Sequence, residues 1–146
     1  AVYYLCILLG SFVLMLPLVI RWRGSADLLV KILPAIAVMV VGFLVLAWSP
    51  TLMLFVMALL VFFVGFNYLE ATLPALVSKV APSARRGSAM GVYSSSQFLG
   101  IFAGGSVGGV LIGLTDITTL LVVNAALLIL WAGLLMALQR GSNQPK

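Results

Sequence analysis

The sequence has no histidine, a single cysteine, and only three acidic residues against eight basic ones in a chain of 146. Without histidine, Ser-His nucleophilic catalysis, HExxH zinc chemistry and His-ligated haem are all excluded. The lone Cys6 can form no internal disulfide, and inside an apolar run it reads as a small hydrophobe. Asp27 and Asp116 fall at opposite ends of apolar segments, which leaves Glu70 without a second carboxylate for acid–base work at depth. One cysteine and one buried acid make no metal site. The run "GIFAGGSVGG" lies within an apolar segment, without the strand before it or the lysine after it that a phosphate-cradling loop uses. The chain is therefore read as no enzyme, with no cofactor and no metal.

Apolar residues are abundant: 64% of the chain is hydrophobic and only 8% is charged, more than one water-soluble core can hide. Runs of roughly 18 or more apolar residues are long enough to cross the hydrocarbon as helices. Five occur, at about 1–20, 30–48, 51–78, 88–114 and 117–138. Stretches such as "PAIAVMVVGFLVLAW" are apolar on every face, so they read as helices and not as the alternating strands of a barrel. The expected fold is an all-α membrane protein, a polytopic bundle of five transmembrane helices.

The basic residues orient the bundle. Arg21, Arg23, Lys31, Lys79, Arg85, Arg86, Arg140 and Lys146 all fall on one side of these spans. The connections on the other side, around Ser49-Pro50 and Leu114 to Thr118, hold no Lys or Arg. The positive-inside rule makes the basic loops and the C-terminus cytoplasmic. Tyr3, Tyr4, Trp22 and Trp48 fall near the expected interfaces, where amphipathic rings settle. Because the charge is spread over short loops and a tail, it forms no nucleic-acid patch. Ala1 stands directly in an apolar span with no basic leader, so at least one earlier span is expected to precede this piece.

Two features break the apolar monotony. In the fourth span Gly100, Gly104 and Gly108 recur at four-residue spacing, beside a second stripe of Gly105, Gly109 and Gly113. Such small-xxx-small faces let helix backbones approach closely when lipid removes the hydrophobic driving force. They are expected to pack against a neighbour, and a smooth surface also suits one helix rocking on another. On that basis Leu at Gly104 or Gly108 is expected to be damaging, and Leu at Ala132 of the last span mild. The second feature is Glu70 in "VGFNYLEATLP". An intramembrane carboxyl costs enough to insert that it is kept mostly where it faces a cavity or a partner.

The stretch "APSARRGSAMGVYSSSQFLGIFAGGSVGG", Ala81 to Gly109, resembles the loop and glycine-rich helix of a major facilitator superfamily transporter. The superfamily's antiporter motif G-x-x-x-G-P-x-x-G-G is matched at Gly100, Gly104, Gly108 and Gly109, with Gly105 where the motif has Pro. The loop motif is matched at Pro82, Arg86, Gly87 and Gly91. Together with "GFNYLEATLPALVSK", these stretches resemble the drug:proton antiporter branch, YajR-like, of bacterial inner-membrane transporters.

The resemblance implies that the spans are helices 2–6 or 8–12 of a twelve-helix fold. "IRWRGSADLLVKI" lacks the first half's G-x-x-x-D-R-x-G-R-[RK] motif and a polar tail follows the last span, so they are read as helices 8–12, residues 1–146 being a partial C-terminal six-helix half. The first, third and fourth spans would line a central cavity, and the second and fifth would face lipid. It further implies part of a secondary active transporter of the inner membrane, moving a small molecule by alternating access as proton-coupled efflux. Its partners would be the lipid bilayer, the missing N-terminal helices of the parent chain, the substrate and protons. Candidates for proton coupling or for lining the cavity are Glu70, Asn67, Tyr93, Ser96 and Gln97. If Ser78 and Ser88 end a helical hairpin, Glu70 and Ser96 lie at one level, about 12 Å inside. Read from the residues alone, Glu70 equally suits a neutral hydrogen bond to Ser96 or Gln97 that merely holds the hairpin. A non-transporting membrane assembly or receptor-like protein, packed through its glycine faces, remains the other class.

Overall fold

The computed structural model describes residues 2–22 and 28–142. Arg23, Asp27 and Lys146 lie outside the described residues, as do the side chains of Tyr3, Tyr4, Cys6 and Trp22. Five helices follow one another in the chain: α1 (Val2–Trp22), α2 (Leu28–Ala47), α3 (Leu52–Val80), α4 (Arg86–Leu114) and α5 (Ile117–Ser142). The protein is an all-α membrane bundle, and its helices begin and end within about two residues of the expected apolar runs, apart from the polar end of α5, which continues as helix to Ser142. Among the described residues four segments are long and apolar enough to cross a membrane: Leu28–Ala47, Leu52–Val80, Ser83–Leu114 and Ile117–Arg140. The described apolar part of α1, Ile7–Arg21, is shorter.

Local chemistry sets the turns. Thr51 caps α3 by accepting the Leu54 amide at 3.3 Å, just after Pro50 stops the preceding helix. Between α3 and α4 a single 3₁₀ turn, Ser83–Arg85, closes with the Arg85 amide on the Pro82 carbonyl at 2.9 Å. Between α4 and α5, Asp116 accepts the Thr119 amide at 2.9 Å and so caps the first turn of α5. Thr118 then donates to the Ala47 carbonyl at 3.4 Å, tying the start of α5 to the end of α2.

The core lies between α1, α2, α3 and α5. Met15 of α1, Ile32, Ala35, Ile36 and Met39 of α2, and Tyr68 and Leu69 of α3 form one buried cluster, with Leu128, Trp131, Ala132 and Leu135 of α5 packed against it. The α2 positions recur at three- and four-residue spacing, so one face of that helix is enclosed while Val41 stays exposed. α2, expected on the lipid side, has one face packed between α3 and α5 within this chain. Ala132, expected to be an indifferent position, belongs to that core margin.

What draws α2 and α3 together is a pair of isolated glycines. A Cβ on Gly42 would stand 2.8–2.9 Å from the Cβ, Cα and N of Phe62, and one on Gly65 would stand 2.7 Å from the Ala35 carbonyl oxygen. Real side-chain carbons do not approach backbone so closely, so both positions require glycine if the helices are to keep this separation. The contact brings Phe62 against Phe43, with ring centroids 4.6 Å apart.

α4 is the exception. It has no buried residue, and its contacts with α3 and α5 among the described residues are sparse. Phe98, Leu99, Ile101, Phe102 and Val107 are all exposed on it.

Candidate functional site

The polar side chains at membrane depth gather on α3 and on the facing part of α4. Glu70 lies midway along the second half of α3, four residues before Pro74. Proline has no N–H to give to the carbonyl of Glu70, so the usual helix bond to that oxygen is missing beside the carboxyl. The Glu70 carboxyl itself reaches across to α4, where Oε1 accepts a hydrogen bond from Gln97 Nε2 at 2.8 Å. Tyr93 stands one turn before Gln97 on α4, within electrostatic reach of Glu70. Glu70, Gln97 and Tyr93 thus form a polar constellation between two helices that otherwise barely touch.

The other two expected site residues go elsewhere. Ser96 was placed level with Glu70, but its hydroxyl donates to the Val92 carbonyl of its own helix at 2.8 Å. A serine side chain is too short to prefer a partner across a helix gap over the carbonyl four residues back. Asn67 turns away from α4 and donates from Nδ2 to Ser11 Oγ on α1 at 3.0 Å, while Ser11 donates to the Leu8 carbonyl at 2.8 Å. Ser11 is completely buried. The pair is a part-buried α1–α3 tie, and the enclosed Ser11 hydroxyl would be costly if unpartnered. The sequence gives little warning of Ser11, one hydroxyl in an apolar run. Its signal is only that a second polar residue, Asn67, needs a partner at depth.

The loop motif residues form the turn into α4: Pro82 accepts the turn-closing bond, Arg86 opens the helix, and a Cβ at Gly87 or Gly91 would meet nothing within 4 Å. The same open space surrounds Gly100, Gly104, Gly105 and Gly109, whereas a Cβ at Gly108 would make ordinary contact with Leu120 at 3.6 Å. The glycine face of α4 is therefore presented outward by this chain, and the close helix approach inside it is made by Gly42 and Gly65 instead. Among the described residues, no group of three or more Cys, Asp or Glu side chains is placed to hold a metal ion.

Comparison with known proteins bears out the resemblance read from the sequence. The chain is 50% identical over 70 residues to the inner membrane transport protein YajR of Escherichia coli (strain K12), a match covering 48% of this chain and 15% of that protein. An uncharacterized transporter of Buchnera aphidicola subsp. Baizongia pistaciae is 38% identical over 76 residues, covering 52% of this chain and 19% of its own. A second Buchnera transporter, from subsp. Acyrthosiphon pisum, is 42% identical over 59 residues, 40% of this chain and 15% of its own. The matches span less than a fifth of the length of these curated relatives. No family model and no solved structure matches the chain.

Proposed function

We propose that this chain is part of a secondary transporter of the inner membrane, with a major facilitator fold, that moves a small molecule by alternating access coupled to protons. Three relatives named as transporters support the general reading. The observation that carries the finer one is the Glu70–Gln97 bond at 2.8 Å between α3 and the loosely held α4.

An ionised Glu70 is a strong acceptor for the Gln97 amide. On taking a proton, the carboxyl loses that charge and becomes a donor, so the bond across the gap weakens or must be remade with the amide turned over. Protonation is thereby linked to how firmly α4 is held to α3. Among the described residues nothing else grips α4 deeply, since it buries no residue. The outward glycines at 100, 104, 105 and 109 offer further helices of the same protein a surface that can be approached closely and slid upon. Tyr93 lines the same gap and is the natural contact for a substrate ring.

The test is reconstitution of the whole protein into proteoliposomes with an imposed pH gradient, reading proton movement with an internal pH dye while amphipathic compounds are added. Transport coupled to protons gives compound-dependent proton flux that an uncoupler abolishes. The alternative of a non-transporting assembly held through the same glycines gives no compound-dependent flux.

A further inference from the structure

A second polar feature lies away from the Glu70 gap. At the basic end of the bundle, a cavity of about 200 Å³ opens between α1, α2 and α3. Lys31, in the first turn of α2, and Lys79, in the last turn of α3, both line it. Because the two helices run antiparallel, their opposite termini bring these ammonium groups to one mouth. Below the mouth the lining changes character. Ala71 and Ala75, one turn apart, form a shallow floor on α3, walled by Leu76 and by Val19 of α1. On α3 the lining as a whole extends from Lys79 down to Tyr68, eleven residues along the helix or about 16 Å by helix rise. No acidic residue is among the described residues that line it.

We infer that this cavity binds an anionic phospholipid, its phosphodiester at Lys31 and Lys79 and the upper part of one acyl chain over Ala71 and Ala75. A lysine pair at a membrane interface attracts anionic head groups, and basic pockets between transmembrane helices hold them. The stems of both lysines also extend their charges toward the head-group level. A free inorganic anion needs the mouth and has no use for the alanine floor below it, whereas a lipid uses both.

Native mass spectrometry of the whole detergent-solubilised protein tests this, with phosphatidylglycerol and phosphatidylcholine of identical chains added separately. Phosphatidylglycerol is expected to be retained preferentially. Each lysine near the surface is worth a factor of about five in anionic-lipid affinity, so Lys31→Gln with Lys79→Gln should weaken retention about twenty-five-fold. The corresponding Arg pair keeps the charge and should retain the lipid, which separates loss of binding from loss of fold. Ala71→Leu with Ala75→Leu fills the floor and should expel the lipid while leaving both lysines in place. Arg85→Gln with Arg86→Gln, on the neighbouring exposed turn, should change retention less than twofold. Equal retention of the two lipids overturns the inference, as does an equal loss from the Arg85/Arg86 variant, which marks a diffuse basic belt. Displacement of phosphatidylglycerol by millimolar inorganic phosphate, with the leucine variant unaffected, overturns it in favour of a free-anion site.

Discussion

Glu70 on α3 and Gln97 on α4 are joined by a 2.8 Å hydrogen bond that spans 27 positions of sequence. It is the principal polar link to a helix with no buried residue. Interhelical hydrogen bonds in membranes contribute about 0.6 kcal/mol on average and about 2 kcal/mol at most. A double-mutant cycle of Glu70→Ala and Gln97→Ala, read by unfolding in mixed micelles, should give a coupling of that size. A coupling of zero would mean that the two side chains act independently.

Gly42 and Gly65 should be the glycines on which folding depends. Leu at either forces α2 and α3 apart, since a Cβ alone would already stand under 3.0 Å from the facing helix. Overpacking of this kind costs roughly 1–3 kcal/mol. Gly104→Leu meets open space within this chain and should destabilise less than Leu at Gly42 or Gly65 while lowering transport. Melting of the purified protein in detergent, set beside flux, distinguishes the two classes.

These glycines also show how far the sequence could be read. Apolar run lengths mark all five helices, because a helix in lipid must be apolar over its whole crossing and the signal is therefore long. Spacing directs attention to the repeated glycines of α4, yet the close approach is made by two isolated ones. No periodicity marks Gly42 or Gly65, whose importance depends on Phe62 and Ala35 of a different helix. Depth counting finds the level of Glu70 but selects Ser96, one residue short of Gln97. Side-chain length decides between them, since Ser96 can satisfy itself on Val92 and Gln97 can reach across. Asn67 is visible as a polar residue at depth, but its partner Ser11 lies 56 positions away.

The cap on α5 should respond to acid. Hydrogen bonds from the Thr119 side chain and amide hold the Asp116 carboxyl below its ordinary value of 3.8. A group depressed in the folded state stabilises fully above its unfolded pKa, and that contribution is lost as pH falls through the lower folded value. Hydrogen exchange of the first turn of α5 should therefore be constant from neutral pH to about 5 and lose protection only in stronger acid. Asp116→Asn, which keeps an acceptor at the cap but cannot titrate, should remove that acid step.

Topology follows from the charge bias. Cysteine placed at Ala84, on the exposed turn before α4, should react with an impermeant maleimide only from the cytoplasmic side, and cysteine at Thr115 only from outside. Labelling of Ala84→Cys in intact cells would reverse the orientation of the bundle.

The central claim is that Glu70 carries a transported proton, and Glu70→Gln tests it most directly. Glutamine keeps the length of the side chain and a carbonyl for the Gln97 amide, but it cannot titrate. In proteoliposomes containing the whole protein, the variant should fold, bind substrate with affinity within about threefold, and lose pH-gradient-driven accumulation entirely, with Glu70→Asp intermediate. Normal accumulation by Glu70→Gln, with an unchanged pH profile, would contradict the account and leave Glu70 as a hydrogen-bonding strut between α3 and α4.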